Sequence, residues 1–142
     1  DFHIVNLTDA FGAINLAGPK AREILQKLTD ADLSNSAFPF MGWRDLTLDG
    51  RIPARAFRLG FVGELSYELH LPASWMEAVW AMLLEAGRAY GIRPFGLEAQ
   101  NTLRLEKGHV IIGQESEIRT TTRTGGPWGT RPSGTLKISR TA

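Results

Sequence analysis

Glu68 is the residue whose type and setting best suit ligand chemistry. It lies within residues 65–71, where apolar side chains alternate with polar ones, a pattern that predicts a strand with one polar face. A carboxylate on such a face can accept two N–H groups from an aminopyrimidine-like edge as a bidentate pair. The face can equally be solvated, because antiparallel sheets often leave one side wet. Both readings remain open for Glu68 at this point.

Phe61 lies in a glycine-flanked loop just before this strand. Residues 60–63 read GFVG, which lacks the spacing of a phosphate-binding loop, and the following Glu64 would repel an anion. The Phe61 ring can stack on a flat heterocycle. The loop can also be a plain connection between two strands.

Residues 95–107 predict a helix with a polar stripe. Gln100 and Arg104 are four positions apart and therefore share this stripe. The neighbouring stripe, which we expect to be mostly buried, consists of Ala99, Leu103 and Glu106. A polar stripe beside a buried one suits the wall of a polar small-molecule site. Arg104 can bind a ligand carboxylate there, or it can pair with an acid on a neighbouring element, which is the commoner arrangement for a helical arginine.

Composition disfavours several other kinds of chemistry. The chain has no cysteine, and its three histidines lack the spacing of metal ligands, so no metal site is predicted. Residues 1–117 carry a net charge of −4, whereas residues 118–142 carry +5. The acidic body argues against a nucleic-acid-binding face. No apolar run approaches the roughly 18 residues of a membrane span, and no leader is visible, so we expect a cytoplasmic chain that does not enter a membrane.

The elements that must position these residues are predicted in the order β-β-α-β-β-β-α-α. Strands are expected over residues 2–7, 13–17, 42–48, 51–59 and 65–71, and helices over residues 19–28, 75–87 and 95–107. Asp49-Gly50 predicts a hairpin turn, and Gly108 predicts the end of the last helix. This order favours an α+β fold, an antiparallel sheet with helices packed on one face. Residues 1–117 would form this domain, and the Thr/Arg/Gly-rich residues 118–142 a poorly ordered tail.

Three sequence blocks resemble the aminomethyltransferase-like folate-binding domain. They are RLGFVGELSYELH at 58–70, FGLEAQ at 95–100 and LRLEKGHVIIGQ at 103–114, and LAGPKAREIL at 16–25 fits the same family. The blocks keep their order, and the resemblance covers about residues 3–117. It is strongest to the branch found in sarcosine oxidase alpha subunits and dimethylglycine dehydrogenases, beside the glycine-cleavage T-protein.

The resemblance implies a folate-dependent reaction. In this family, tetrahydrofolate captures a methylene group derived from an amine and becomes 5,10-methylenetetrahydrofolate. Glu68 matches the glutamate that holds the pterin edge, and Phe61 takes the place of the T-protein's pocket tyrosine. Gln100 stands where the T-protein has an arginine, so contacts to the folate tail are not carried over there. Arg104 matches a family arginine to which a structural role is ascribed. The predicted cofactor-binding residues are therefore Glu68, Phe61, Gln100 and Arg104.

The resemblance also implies a fragment of a larger enzyme. The family's catalytic aspartate belongs to an N-terminal half and its barrel to a C-terminal half, and neither is matched here. We therefore expect no catalytic residue in this chain and no turnover by it alone. Any flavin or NAD would belong to other domains or subunits, which would be its partners in an oxidase complex. The opening at Asp1 without a methionine fits this expectation.

Two other functions remain as alternatives. One is a folate-binding accessory protein of iron–sulfur cluster assembly, whose hallmark is a KGCYxGQE run. Residues 107–115 read KGHVIIGQE, which echoes that run but has no cysteine and one extra residue. The other is an interaction domain of the same fold that has lost its ligand.

Overall fold

A computed structural model describes residues 2–109 and 111 of the 142-residue chain. Four strands form one antiparallel sheet: β1 (Phe11–Ala17), β2 (Trp43–Leu48), β3 (Ile52–Phe57) and β4 (Ser66–Pro72). Three α-helices accompany them: α1 (Ala21–Gln26), α2 (Met76–Gly87) and α3 (Leu97–Lys107). Single turns of 3-10 helix occur at Thr8–Ala10, Ala73–Trp75 and Arg88–Tyr90. The predicted α+β class is confirmed.

The strand order in the sheet is β1-β4-β3-β2. The β2–β3 hairpin turns at Asp49 and Gly50, as predicted, with φ angles of 51° and 66°. The turn spans the three residues 49–51, between the paired Leu48 and Ile52, and Asp and Gly adopt positive φ angles more readily than most residues. β4 lies between β1 and β3, so hydrogen bonds hold it on both sides. Glu68 is therefore carried by a central strand of the sheet.

The core lies between one face of the sheet and the helices α1 and α2. Tyr67, Leu69 and Leu71 alternate along β4 and are completely buried on this face, as the sequence predicts. Helix α1 contributes Ile24 and Leu25, and α2 contributes Val79 and Leu83. Burying each such side chain stabilises the fold by roughly 1.5–3 kcal/mol relative to leaving it in water. The other face of the sheet, which carries Glu68, is left outside this core and is called the outer face below.

The predicted strand over residues 2–7 is wrong. These residues have no regular secondary structure, and Phe2 and Ile4 are more than four-fifths exposed. Weak alternation of apolar residues does not make a strand without a neighbouring strand to pair with. The described part of the chain offers residues 2–7 no such partner. The sheet instead begins at Phe11.

The expected burial of α3 is also wrong. Ala99, Leu103 and Glu106, the stripe predicted to be buried, lie on the surface. Arg104 is instead the buried residue of this helix. Helical spacing defines the stripes of a helix, but the element packed against it decides which stripe is covered. The predicted end of α3 is correct, since Gly108 caps it by donating its N–H to the carbonyl of Leu105.

The predicted tail, residues 118–142, lies outside the described residues. Among those that are described, no helix is both long enough and apolar enough to cross a membrane.

Candidate functional site

Glu68 and His70 meet on the outer face of β4. Their Oε1 and Nε2 atoms are 2.5 Å apart, and the side chains are 36% and 40% exposed, respectively. An ionised carboxylate can only accept hydrogen bonds, so Nε2 carries the proton when Glu68 is charged. Glu68 Oε2 has no hydrogen-bond partner among residues 2–109 and 111. The carboxylate is thus held through one oxygen and accessible through the other.

Neighbouring strands complete a polar and aromatic cluster around this pair. Asn15 of β1 and Phe57 of β3 lie directly across from Glu68. Ser66 donates a hydrogen bond from Oγ to Asn15 Oδ1 at 3.1 Å. The Phe57 ring meets the His70 ring edge-on, with centroids 5.1 Å apart and an angle of 71°. We refer to these five residues, Asn15, Phe57, Ser66, Glu68 and His70, as the outer-face cluster.

A charged pair borders the cluster on its β2 side. Arg55, the cross-strand neighbour of His70, donates from Nε and Nη2 to the two carboxylate oxygens of Asp45, at 2.7 and 3.0 Å. This hydrogen bonding lowers the pKa of Asp45 and raises the pKa of Arg55. The Trp43 ring lies 4.7 Å from the Arg55 guanidinium. An open trough of about 850 Å³ runs over this surface and is lined in part by Phe57, His70 and Arg55.

The loop that carries Phe61 is attached to the end of α3. Lys107 donates from Nζ to the carbonyl of Gly60 at 3.2 Å. Phe61 is half-buried, and its ring meets that of His109 edge-on at a centroid distance of 5.4 Å. The ring therefore packs against the residue that follows the helix cap. Whether it also stacks on a ligand stays a prediction.

Gln100 lines a separate cleft beside the edge strand β1. The cleft has a volume of about 340 Å³, and its walls come from β1, α2, residues 92–95 and Gln100. Three polar residues line it, Asn15, Arg93 and Gln100, among mainly apolar side chains. Glu68 does not line this cleft. Asn15, however, belongs both to the cleft and to the outer-face cluster, so the two regions adjoin at that residue.

Arg104 is 4% exposed and binds groups close to it in sequence. Its Nη1 donates to the carbonyl of His109 at 3.1 Å, and its Nε donates to Asn101 Oδ1 at 3.4 Å. These bonds attach the segment after α3 to the helix itself. The placement favours the structural role that the resemblance ascribes to this arginine. It does not present the guanidinium to the cleft that Gln100 lines.

The four predicted site residues thus occupy three places: the outer face, the cleft, and the junction where the loop meets the end of α3. Sequence reasoning missed Asn15 and Phe57, because the register that sets them beside Glu68 cannot be read from either strand alone. Within the described residues, no three His, Asp or Glu side chains are grouped to hold a metal ion.

Comparison with known families shows which family the chain belongs to. Residues 1–126 match the model of the GCVT N-terminal domain. The chain belongs to the GCVT N-terminal domain family. The match extends into the segment that composition alone predicts as a tail.

Its relatives in this family are enzymes. The chain is 46% identical to sarcosine oxidase subunit alpha of Rhizobium meliloti (strain 1021) over 111 residues, which cover 78% of this chain and 11% of the relative. It is 40% identical to mitochondrial dimethylglycine dehydrogenase of Mus musculus over 120 residues, covering 84% of this chain and 14% of the relative. It is 39% identical to an aminomethyltransferase of Caldanaerobacter subterraneus over 112 residues, covering 79% of this chain and 29% of the relative. The chain therefore spans less than a third of the length of each.

The fold has a solved counterpart. A heterotetrameric sarcosine oxidase from Corynebacterium sp. U-96, in complex with pyrrole 2-carboxylate, superposes with a TM-score of 0.57 at 23% sequence identity. The match covers 66% of this chain and 46% of the solved one. At this level of identity the likeness establishes the fold. The resemblance found in the sequence blocks is confirmed by the family match.

Proposed function

We propose that this chain is the tetrahydrofolate-binding part of a larger enzyme that forms 5,10-methylenetetrahydrofolate from an amine-derived one-carbon unit. Its relatives are named for compounds or groups with one feature in common, a carbon bound to an amine nitrogen: sarcosine, dimethylglycine and an aminomethyl group. Membership in the GCVT N-terminal domain family is consistent with folate-linked chemistry of this kind.

The observation that carries the proposal is the setting of Glu68. Its carboxylate is partly exposed on a central strand, and Oε2 has no partner among the described residues. The amino-pyrimidine edge of a reduced pterin presents adjacent N–H donors, and an ionised carboxylate is the acceptor that suits them. A charge-assisted contact of this kind is about twice as strong as a neutral hydrogen bond.

The residues around Glu68 fit the rest of a pterin ring. Phe57 offers an aromatic ring beside the carboxylate. The neighbouring trough, which Phe57 and His70 line but Glu68 does not, has room for a flat heterocycle. Phe61 and Gln100 would meet more distant parts of the cofactor, and Arg104 would hold the end of α3 in place. When bound, tetrahydrofolate supplies the nitrogen atoms that accept the one-carbon unit. The residues of this chain bind and orient it.

The other parts of the activity would belong to sequence beyond this chain. A chain that spans a tenth to a third of its relatives would work with their remaining domains or with other subunits. Oxidation of the amine, with any flavin or NAD, would take place there. A cytoplasmic location stays a prediction.

Binding of a reduced folate tests the proposal directly. We expect the chain to bind the air-stable 5-formyltetrahydrofolate, measured by calorimetry or by quenching of tryptophan fluorescence. Glu68→Gln keeps the size of the side chain but replaces an ionic acceptor by a neutral amide. Because hydrogen bonds to charged groups contribute roughly 1.5–3 kcal/mol, the dissociation constant should rise about tenfold to a hundredfold.

Glu77→Gln is the matched control, since Glu77 is exposed at the start of α2 and takes no part in the outer-face cluster. It should bind as the wild type does. Equal, weak binding by the wild type and Glu68→Gln would instead support a domain that has lost its ligand.

A further inference from the structure

We infer that His70 is a positioning residue, which fixes the carboxylate of Glu68 so that Oε2 faces the bound ligand. The inference rests on the proposed function and adds to it the residue that holds the pterin-binding carboxylate in one orientation. No motif in the sequence predicts this role. It follows from the contact between two side chains on the same face of β4.

The contact engages one carboxylate oxygen and leaves the other available. His70 Nε2 lies 2.5 Å from Glu68 Oε1, whereas Oε2 has no hydrogen-bond partner in the described part of the chain. Both side chains are more than a third exposed, so a ligand can approach without displacing buried groups. A glutamate side chain on a strand otherwise samples several rotamers. The imidazole selects one of them before the ligand arrives.

His70 is itself held in place by its neighbours. The Phe57 ring packs against it edge-to-face at 5.1 Å. Across the sheet, His70 lies opposite Arg55 on one side and Ala13 on the other. Arg55 is bound to both carboxylate oxygens of Asp45, which directs its charge toward β2. The small Ala13 leaves space, so Phe57 is the ring contact that sets the imidazole orientation.

Replacing His70 should therefore weaken binding through Glu68. Without His70, the Glu68 side chain would have to be ordered when the ligand binds, which corresponds to a loss of about two- to tenfold in affinity. We expect this loss for the binding of 5-formyltetrahydrofolate by His70→Ala. His70→Gln should restore most of the loss, because its Nε2 amide can donate where the imidazole Nε2 does. His3→Ala removes an exposed imidazole from the N-terminal segment and should have no effect.

A double-mutant cycle separates positioning from a general structural effect. If His70 acts by orienting Glu68, then His70→Ala should change affinity little when Glu68 is already Ala, because no acceptor oxygen is left for His70 to orient. An additive loss would overturn the positioning role. The role would also be overturned if Glu68→Gln alone weakened binding while His70→Ala alone left it unchanged. Equal binding by the wild type and Glu68→Gln, or no binding by either, would overturn the proposed function and this inference with it.

A measurement without ligand checks the contact itself. Proton NMR of the imidazole should show the Nε2 proton of His70 shifted downfield by its hydrogen bond to the carboxylate in the wild-type chain, and Glu68→Ala should remove that shift. An Nε2 proton resonance that is unchanged in Glu68→Ala would show that the carboxylate does not hold the imidazole, and the inference would fail.

Discussion

The Asp45–Arg55 pair gives the outer face a pH-dependent contribution to stability. Hydrogen bonding by Arg55 lowers the pKa of Asp45 below its usual value of 3.8. A carboxyl group whose folded-state pKa is depressed stabilises the fold above its unfolded-state pKa, and this contribution disappears as the pH falls through the folded-state pKa. Arg55→Gln should therefore lower the free energy of unfolding at pH 7, and the difference from wild type should shrink as the pH falls through the folded-state pKa of Asp45.

Urea denaturation at a series of pH values measures this difference. Arg51→Gln is the control, because Arg51 meets Asp49 through a single contact of 3.3 Å across the hairpin turn. At pH 7 it should change the free energy of unfolding less than Arg55→Gln does. A difference between Arg55→Gln and wild type that stays constant from pH 7 to pH 2 would contradict the assignment.

At the scale of single residues, the sequence predicted which face of the strand carries Glu68, but not which residues surround it. Alternation along one strand is enough to place Glu68 on a polar face. The Ser66–Asn15 hydrogen bond, by contrast, joins residues 51 positions apart, and only the β1–β4 register brings them together. Arg104 shows the same limit, because its helical stripe does not predict that it is buried or that Nη1 donates to the carbonyl of His109.

At the scale of elements, Gly63 connects the site loop to α3. Its φ angle is +92°, and a methyl group added there would lie 3.3 Å from Lys107 Cβ. Gly63→Ala would thus combine backbone strain with a close contact to α3. We expect a loss of about 2 kcal/mol in the free energy of unfolding, measured by chemical denaturation, since the left-handed region costs other residues roughly 1–2 kcal/mol.

Gly91→Ala provides the comparison for Gly63→Ala. Gly91 also has a positive φ, +72°, but a methyl group there would meet nothing within 4 Å. Its substitution should cost about 1 kcal/mol from strain alone. If Gly63→Ala and Gly91→Ala lower the free energy of unfolding equally, the close contact with Lys107 adds nothing to the cost of Gly63→Ala.

Elements with local signals were predicted best. The Asp49-Gly50 turn and the alternation in β4 were confirmed because both signals lie within a few residues of the chain. Residues 2–7 and the buried stripe of α3 were predicted wrongly. In both cases the outcome depended on which other element lies alongside, and hydrophobic spacing carries no information about that.

At the scale of the whole molecule, the chain should not turn over alone. It spans 29% of an aminomethyltransferase relative and 11% of a sarcosine oxidase alpha relative. We expect formaldehyde and tetrahydrofolate to give 5,10-methylenetetrahydrofolate at the uncatalysed rate in its presence. A complete aminomethyltransferase assayed in parallel shows that the product is detectable. Production above the background rate by this chain would mean that the chain already holds catalytic groups.

The pairing of β1 with β4 also sets an order of events during folding. The β2–β3 hairpin closes a short loop, whereas β1 must find a strand about 50 positions further along the chain, at a higher cost in chain entropy. Folding rates fall as the sequence separation of contacting residues grows. We therefore expect the hairpin to form before Asn15 reaches Ser66. The surface that we assign to the pterin is then completed only when the edge strand docks, so a ligand would select the finished sheet over any partly folded form.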